Sequence, residues 1–405
     1  MSETDELLQK LDVLSRIGAT PEDGVRRIAA TQADKAGRDL IVQWMREAGL
    51  TVEIDRIGNI FGALAGGKNL PAVMTGSHID SVGNGGKLDG PLGVIAGLVI
   101  ASALNKSGKT PARQFVVAVF TNEEGVRFQP DMMGSLVFAG GLNVETARAA
   151  RDRDGVRLGE ALDEIGYTGA LPCGAKPPAF FVELHIEQGP VLEANHTTIG
   201  AVEAVQGIYW TGVTITGQAN HAGTTPMAMR KDAGYAAARI AVEARTIAQS
   251  IDGQVATIGE IDLTPNLVNV VAGRAYLTVD LRNADAQRLT EAQDRLESVI
   301  ETVADEEGVE IATESLVRFA PVQFAPSIVK IVEDAAKDNG YSVARMVSGA
   351  GHDAQMMARL CPSAMIFVPS VNGVSHNPAE HTAEKDIAAG YSVLKRTIET
   401  LLQTR

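Results

Sequence analysis

Short apolar runs that stop on a histidine or a carboxylate recur along this chain, separated by helix-like stretches. Residues 72–77 lead into His78-Ile79-Asp80, residues 114–121 into Asn122-Glu123-Glu124, and residues 180–185 end on His185, followed by Ile186-Glu187-Gln188. Residues 35–48 carry helical periodicity, 92–104 form an apolar helix after Gly90-Pro91, and 51–64 read as a hairpin around Gly58-Asn59. This alternation predicts an α/β domain with a mostly parallel central sheet. In such sheets ligands bind beyond the carboxyl ends of the strands, where these polar residues fall.

The texture changes in the middle of the chain. Residues 208–217 and 254–281 are rich in β-branched residues of alternating polarity, with long helical patterns at 231–250 and 285–307. A strand-helix-strand-strand-helix order predicts a small α+β unit with helices on one face. After residue 325 the earlier style returns. The chain therefore reads as one domain built from 1–209 and 326–405, with 210–325 inserted. A length of 405 residues exceeds what one hydrophobic core usually serves.

A net charge of -14 argues against nucleic-acid or anionic-membrane partners, which demand a positive face. No apolar run reaches the roughly 18 residues of a membrane span. The acidic start Met1-Ser2-Glu3-Thr4-Asp5-Glu6 is unlike a secretory signal, and two cysteines, Cys173 and Cys361, make no disulfide framework. A cytoplasmic location is expected.

Five segments carry metal-type side chains. Alternation along a strand puts His78 and Asp80 on one face, a spacing that suits a ligand histidine held by a carboxylate. Asp89 precedes a helix start, where negative charge is favoured. Glu123 and Glu124 cannot face the same way on a strand, so one can bind metal while the other faces water. His185 and His376, in Ser375-His376-Asn377-Pro378, complete the set. Alone, each segment has an ordinary reading: a hydrogen-bonded histidine, a solvated pair, a turn aspartate. Together, histidines and carboxylates without cysteine suit zinc, manganese, cobalt or nickel. The run Gly83-Asn84-Gly85-Gly86 lacks the endings of a phosphate-binding loop and reads as a flexible loop.

These motifs resemble the amidase/hydantoinase/carbamoylase branch of the dinuclear metallopeptidases, which holds N-carbamoyl-L-amino acid hydrolases, β-ureidopropionases and allantoate amidohydrolases. The resemblance runs from near Ile17 to the C-terminus. It rests on Gly76-Ser77-His78-Ile79-Asp80-Ser81-Val82, Glu123-Glu124-Gly125, His185-Ile186-Glu187-Gln188-Gly189-Pro190, His221-Ala222-Gly223-Thr224-Thr225-Pro226-Met227, Gly349-Ala350-Gly351-His352-Asp353-Ala354 and Ser375-His376. It implies a metallopeptidase-like catalytic domain with an inserted α+β lid and dimerisation domain, acting as a homodimer. It also implies two divalent ions, one on His78 and His185 and one on Glu124 and His376, with Asp89 bridging.

Glu123 would be general base and acid, and Asp80 the partner of His78. His221 would reach the site from the partner subunit and stabilise the oxyanion. Asn269 and Arg282 would bind a substrate carboxylate, while Gln188 and the backbone around Gly351 line the pocket. Read alone, Arg282 is a surface residue, Asn269 a turn residue, and His352-Asp353 a helix cap. The implied reaction is hydrolysis of the carbamoyl C–N bond of an N-carbamoyl-L-amino acid to amino acid, ammonia and carbon dioxide. Allantoate amidohydrolase or β-ureidopropionase activity is the near alternative. An aminoacylase, a dipeptidase or a non-catalytic binding protein on the same fold is more distant.

Overall fold

Four strands, Phe115–Phe120, Val73–His78, Phe180–Ile186 and Ser363–Val368, lie side by side in that order and run parallel in the computed structural model, which describes residues 2–404. Parallel strands are covered on both faces, so their sequences are continuously apolar rather than alternating. Phe115–Phe120 is buried at every position. Helix Pro91–Lys106 packs on three of these strands and is buried from Pro91 to Ser102. Antiparallel strands flank the parallel core: Ile60–Leu64 with Thr51–Ile54 on one side, Ile199–Val205 on the other. Because the central strands run the same way, their carboxyl ends share one edge. His78 ends its strand, His185 lies one residue from the end of its own, and Glu123 and Glu124 follow Phe120 closely.

One compact unit runs to Glu203 and resumes at Phe324; the other is Ala204–Gln323. The second begins and ends ahead of the 210 and 325 read from composition. Val205 pairs with Val322 and Ala204 with Gln323, which joins its two chain ends. Its antiparallel sheet has the order Glu310–Phe319, Gly207–Thr216, Arg274–Asn283, Val255–Thr264. Helices Ala233–Ser250 and Ala286–Glu307 cover one face, and Val213, Leu277 and Leu281 share a core with Ile240, Leu289 and Leu296. Strand Arg274–Asn283 alternates accordingly: Leu277, Val279 and Leu281 are buried, while Thr278, Asp280 and Arg282 take the opposite face.

Two expectations change. Strand Glu310–Phe319 was not expected; a register shift between Ser315 and Val317 breaks its period of two. The Gly83–Gly86 run is not a loose loop. Gly85 exchanges backbone hydrogen bonds with Val25 at 2.9 and 3.0 Å, and Asn84 Oδ1 accepts from the Thr20 hydroxyl. Among the described residues no helix is long and apolar enough to cross a membrane.

Candidate metal centre

His78 and His185 stand on adjacent parallel strands with ring centroids 6.2 Å apart. Backbone carbonyls fix their outer nitrogens: His78 Nδ1 lies 2.9 Å from Asp80 O, and His185 Nδ1 lies 2.9 Å from Ile186 O. A carbonyl only accepts, so Nδ1 carries a proton and Nε2 is the nitrogen left for a ligand. Both Nε2 atoms face Asp89 Oδ1, at 3.6 Å from His78 and 3.2 Å from His185. Asp89 Oδ2 lies 3.2 Å from His376 Nε2, which is itself 3.4 Å from Glu124 Oε2. Asp89 thus joins two donor groups, His78 with His185 and Glu124 with His376. Within each group the ligand atoms lie within 4.8 Å of one another.

These residues fit metal ions. His185 Nε2 is buried and makes no hydrogen bond among the described residues, despite its approach to Asp89. A buried polar atom without a partner is costly unless something fills the position. Imidazole and carboxylate donors without thiolate match a divalent ion of the zinc or manganese kind.

The electrostatics agree. Burial pushes the Glu123 carboxyl well above its ordinary range; His78 opposes this, and Asp353, Glu124 and Asp89 add to it. Burial and Asp89 lift Glu124 to about 7, against His78 and His376. Against the burial that would raise it, Asp89 is held well below its usual value by contacts with His185, His376 and His78. Among the protein groups alone, the imidazoles supply the positive charge. His376 is lifted to about 9, chiefly by its hydrogen bond to Asp89. An entering cation would displace such protons.

The backbone is shaped around this cluster. Gly90 has φ +81°, and a Cβ there would meet the His78 ring at 2.6 Å. Only glycine lets the chain turn from Asp89 into the helix beneath that ring. His376, Gln188 and Asn122 adopt left-handed φ of 52°, 56° and 56°. Strain of this kind, about 1–3 kcal/mol each, clusters at functional sites.

Asp80 acts differently from the spacing argument. Its carbonyl, not its carboxylate, meets His78 Nδ1; the carboxylate lies 3.9 Å away. That carboxylate accepts from Glu123 N and Glu124 N, each at 3.3 Å. The strand ends at His78, so alternation no longer sets the direction of Asp80. Gln188 Nε2 donates to Asp89 Oδ2 at 2.9 Å. Beside Gly351, His352 turns its Nε2 to Ser348 Oγ at 2.9 Å, its ring makes a T-shaped contact with His185 at 4.5 Å between centroids, and it makes no side-chain cap.

Sequence reasoning passed over two buried carboxylates, Glu183 and Glu380. Glu183 accepts from Ser77 Oγ at 2.6 Å and Ala354 N at 2.8 Å. Its place two residues before His185 on one strand was a usable signal.

His221, Asn269 and Arg282 belong to the second unit. A short ladder pairs His221 with Val270, and Ala222 N donates to Asn269 O at 3.0 Å, which sets His221 and Asn269 close together. His221 Nδ1 accepts from Gly223 N at 3.0 Å and Thr224 N at 3.2 Å, so the proton of the neutral ring sits on Nε2. Arg282 is paired with Asp280 on its own strand, Nη2 to Oδ2 at 2.9 Å, and stands over the Trp210 ring at 5.9 Å.

A parallel α/β sheet whose carboxyl edge carries two donor groups joined by one aspartate fits a metal-dependent hydrolase. Residues 74–400 match peptidase family M20/M25/M40, and the chain belongs to that family. It is an enzyme of the amidohydrolase type within it. It is 40% identical over 392 residues, 96% of this chain and 94% of the relative, to an N-carbamoyl-L-amino-acid amidohydrolase of Rhizobium meliloti. It is 37% identical over 393 residues, 95% of each, to the allantoate amidohydrolase of Escherichia coli K12. A crystal structure of an amidase of the hydantoinase/carbamoylase family from Burkholderia multivorans is similar at TM-score 0.96 and 42% identity, covering 99% of this chain and 98% of that one. The expected family and mixed α/β fold with a mostly parallel central sheet are thereby established.

Proposed function

We propose that this enzyme hydrolyses the carbamoyl C–N bond of N-carbamoyl-L-amino acids, using two divalent ions drawn from zinc, manganese, cobalt or nickel. The observation that carries the reading is Asp89 facing a donor group through each oxygen, beside the buried Glu123. His78, Asp89 and His185 would hold one ion; Asp89, Glu124 and His376 would hold the other. When bound, the ions supply positive charge that polarises the substrate carbonyl and lowers the pKa of water from about 15.7 toward about 7.

Glu123 Oε2 lies 3.5 Å from His78 Nε2, at the edge of the first group. Its carboxylate would take a proton from water and pass it to the leaving nitrogen. A carboxyl whose proton affinity is raised by burial can hold and release a proton, and bound cations would draw it partly back. Asp80 orders the Glu123-Glu124 turn through its two amide contacts. The Nε2–H of His221, reaching the site from the partner subunit, would be a donor for a developing oxyanion. Arg282 would exchange Asp280 for the substrate carboxylate, and Asn269 would be a second group binding it. Gln188 and the backbone around Gly351 would line the pocket.

The unit of residues 204–323 would serve as lid and dimerisation domain. Met227, Met229, Leu267 and Val268 are exposed on it, apolar side chains that a second subunit would cover. Sedimentation at several concentrations tests the homodimer. The unpaired Cys173 and Cys361 fit a reducing cytoplasm.

The similarity to the E. coli allantoate enzyme favours a second reading, since allantoate also joins ureido groups to a carboxylate. Ammonia release from N-carbamoyl-L-amino acids, β-ureidopropionate and allantoate, by metal-depleted protein reloaded with each ion, decides. Preference for the first supports the proposal, and release from allantoate alone transfers it. No release from any of them with any ion overturns it.

A further inference from the structure

Glu380 is a buried carboxylate whose contacts all lead to the metal centre. Its Oε1 accepts from Leu88 N at 3.1 Å and Asp89 N at 3.2 Å. Its Oε2 accepts from Ser375 Oγ at 2.8 Å, and Ser375 immediately precedes His376. Ser375 Oγ also receives Gln188 Nε2 at 3.3 Å, and the same amide donates to Asp89 Oδ2 at 2.9 Å. The circuit closes: Asp89 main chain, Glu380, Ser375, Gln188, Asp89 side chain.

Gly86 supplies an independent observation. A Cβ there would lie 2.1 Å from Glu380 Oε1, 2.2 Å from its Cδ and 2.4 Å from its Cβ. The glycine leaves the space that Glu380 fills. That gives Gly86, within the Gly83-Asn84-Gly85-Gly86 run, a purpose.

We propose that Glu380 is a positioning residue: it locks the Asp89 loop to the segment bearing His376 and so sets how that aspartate and histidine face each other. The proposal rests on the dinuclear reading above. The five ligands are not equally secured. His78 and His185 sit at strand ends with their rings pinned by carbonyls. The His376 side chain is 53% exposed, against 9% for Asp89, so its placement depends on what holds Ser375. Loss of Glu380 should therefore weaken the ion of Asp89, Glu124 and His376 more than the ion of His78, Asp89 and His185. Groups that orient ligands from behind typically change metal affinity by about 10–100-fold.

The test is titration of metal-depleted full-length protein with Mn(II) against a competing chelator, resolving two affinities, with melting of the metal-free protein alongside. Wild type should take two ions. Glu380→Ala should lose about 10–100-fold in one affinity and little in the other. Glu380→Gln, which keeps an acceptor for the two amides, should stay near wild type, and Gly86→Ala should reproduce Glu380→Ala. If Glu380→Ala does not fold, Ser375→Ala should show the same split. Both ions held at wild-type affinity in whichever of these folds, or both weakened equally, overturns the role of Glu380. Wild type taking fewer than two ions overturns the dinuclear reading itself, and this proposal with it.

Discussion

The side-chain amide of Gln188 donates to Asp89 Oδ2, the same oxygen that faces His376 Nε2. Gln188 is held for this contact, with left-handed backbone and its own N–H on Ser370 Oγ at 3.0 Å. A neutral donor orients the aspartate without cancelling its charge. A hydrogen bond to a charged group contributes about 1.5–3 kcal/mol, so Gln188→Ala should lower kcat/KM by about tenfold or more. Gln188→Glu sets like charge against Asp89 and should cost more. Wild-type kinetics in Gln188→Ala would show the contact to be incidental.

Glu123→Gln preserves shape and removes the proton acceptor. Loss of general acid–base catalysis costs about 10²–10⁴ in kcat. Metal content and melting temperature should stay at wild-type values, because Glu123 is not among the five proposed ligands. Turnover within a factor of a few of wild type would remove Glu123 from the reaction.

Arg282→Ala should lower kcat/KM on carboxylate-bearing substrates by about tenfold or more while both ions are retained. Arg282→Lys should recover only part, since lysine lacks the two-pronged grip. A substrate amide lacking the carboxylate should be turned over equally by all three proteins. Equal losses on acid and amide would place the defect in folding rather than recognition.

Asp55 gives a pH-dependent stability prediction. Its carboxylate accepts from Asn59 N, Ile57 N and Asn59 Nδ2, yet burial outweighs these bonds and raises it to about 6. Unfolded, it titrates near 3.9. Between those values the folded state binds more protons than the unfolded state, so this group's contribution falls as pH rises from about 4 to about 6, then levels. The swing is of order 3 kcal/mol. Asp55→Asn removes it, so the stability gap between the two proteins, from urea unfolding, should change between about pH 4.5 and pH 7. A constant gap contradicts the assignment.

The positions of the candidate ligands His78, Glu124 and His185 were legible because they punctuate continuous apolar runs, and a parallel sheet collects such endings at one edge; the roles of Asp89 and His376 came from the family resemblance. His78, Glu124 and His185 could each be placed from the strand before them. Glu380 could not. Its partners Leu88 and Asp89 lie far away in sequence, and nothing local distinguishes an anchoring carboxylate from a solvated one. Gly86 was the visible trace, a buried glycine in a run that composition alone makes look mobile. The direction of the Asp80 carboxylate was hidden because the strand stops two residues earlier. Strand Glu310–Phe319 was hidden because its bulge interrupts the alternation that a sequence reader counts.

The acceptors that pin His78 and His185 are the main-chain oxygens of Asp80 and Ile186. Every amino acid carries that oxygen, so no side-chain replacement at those two positions can delete it. Hydrogen-bond acceptors written into the main chain tolerate turnover of their neighbours. An engineer could therefore change the residues around these rings to alter metal preference or substrate range and still find both imidazoles aimed inward.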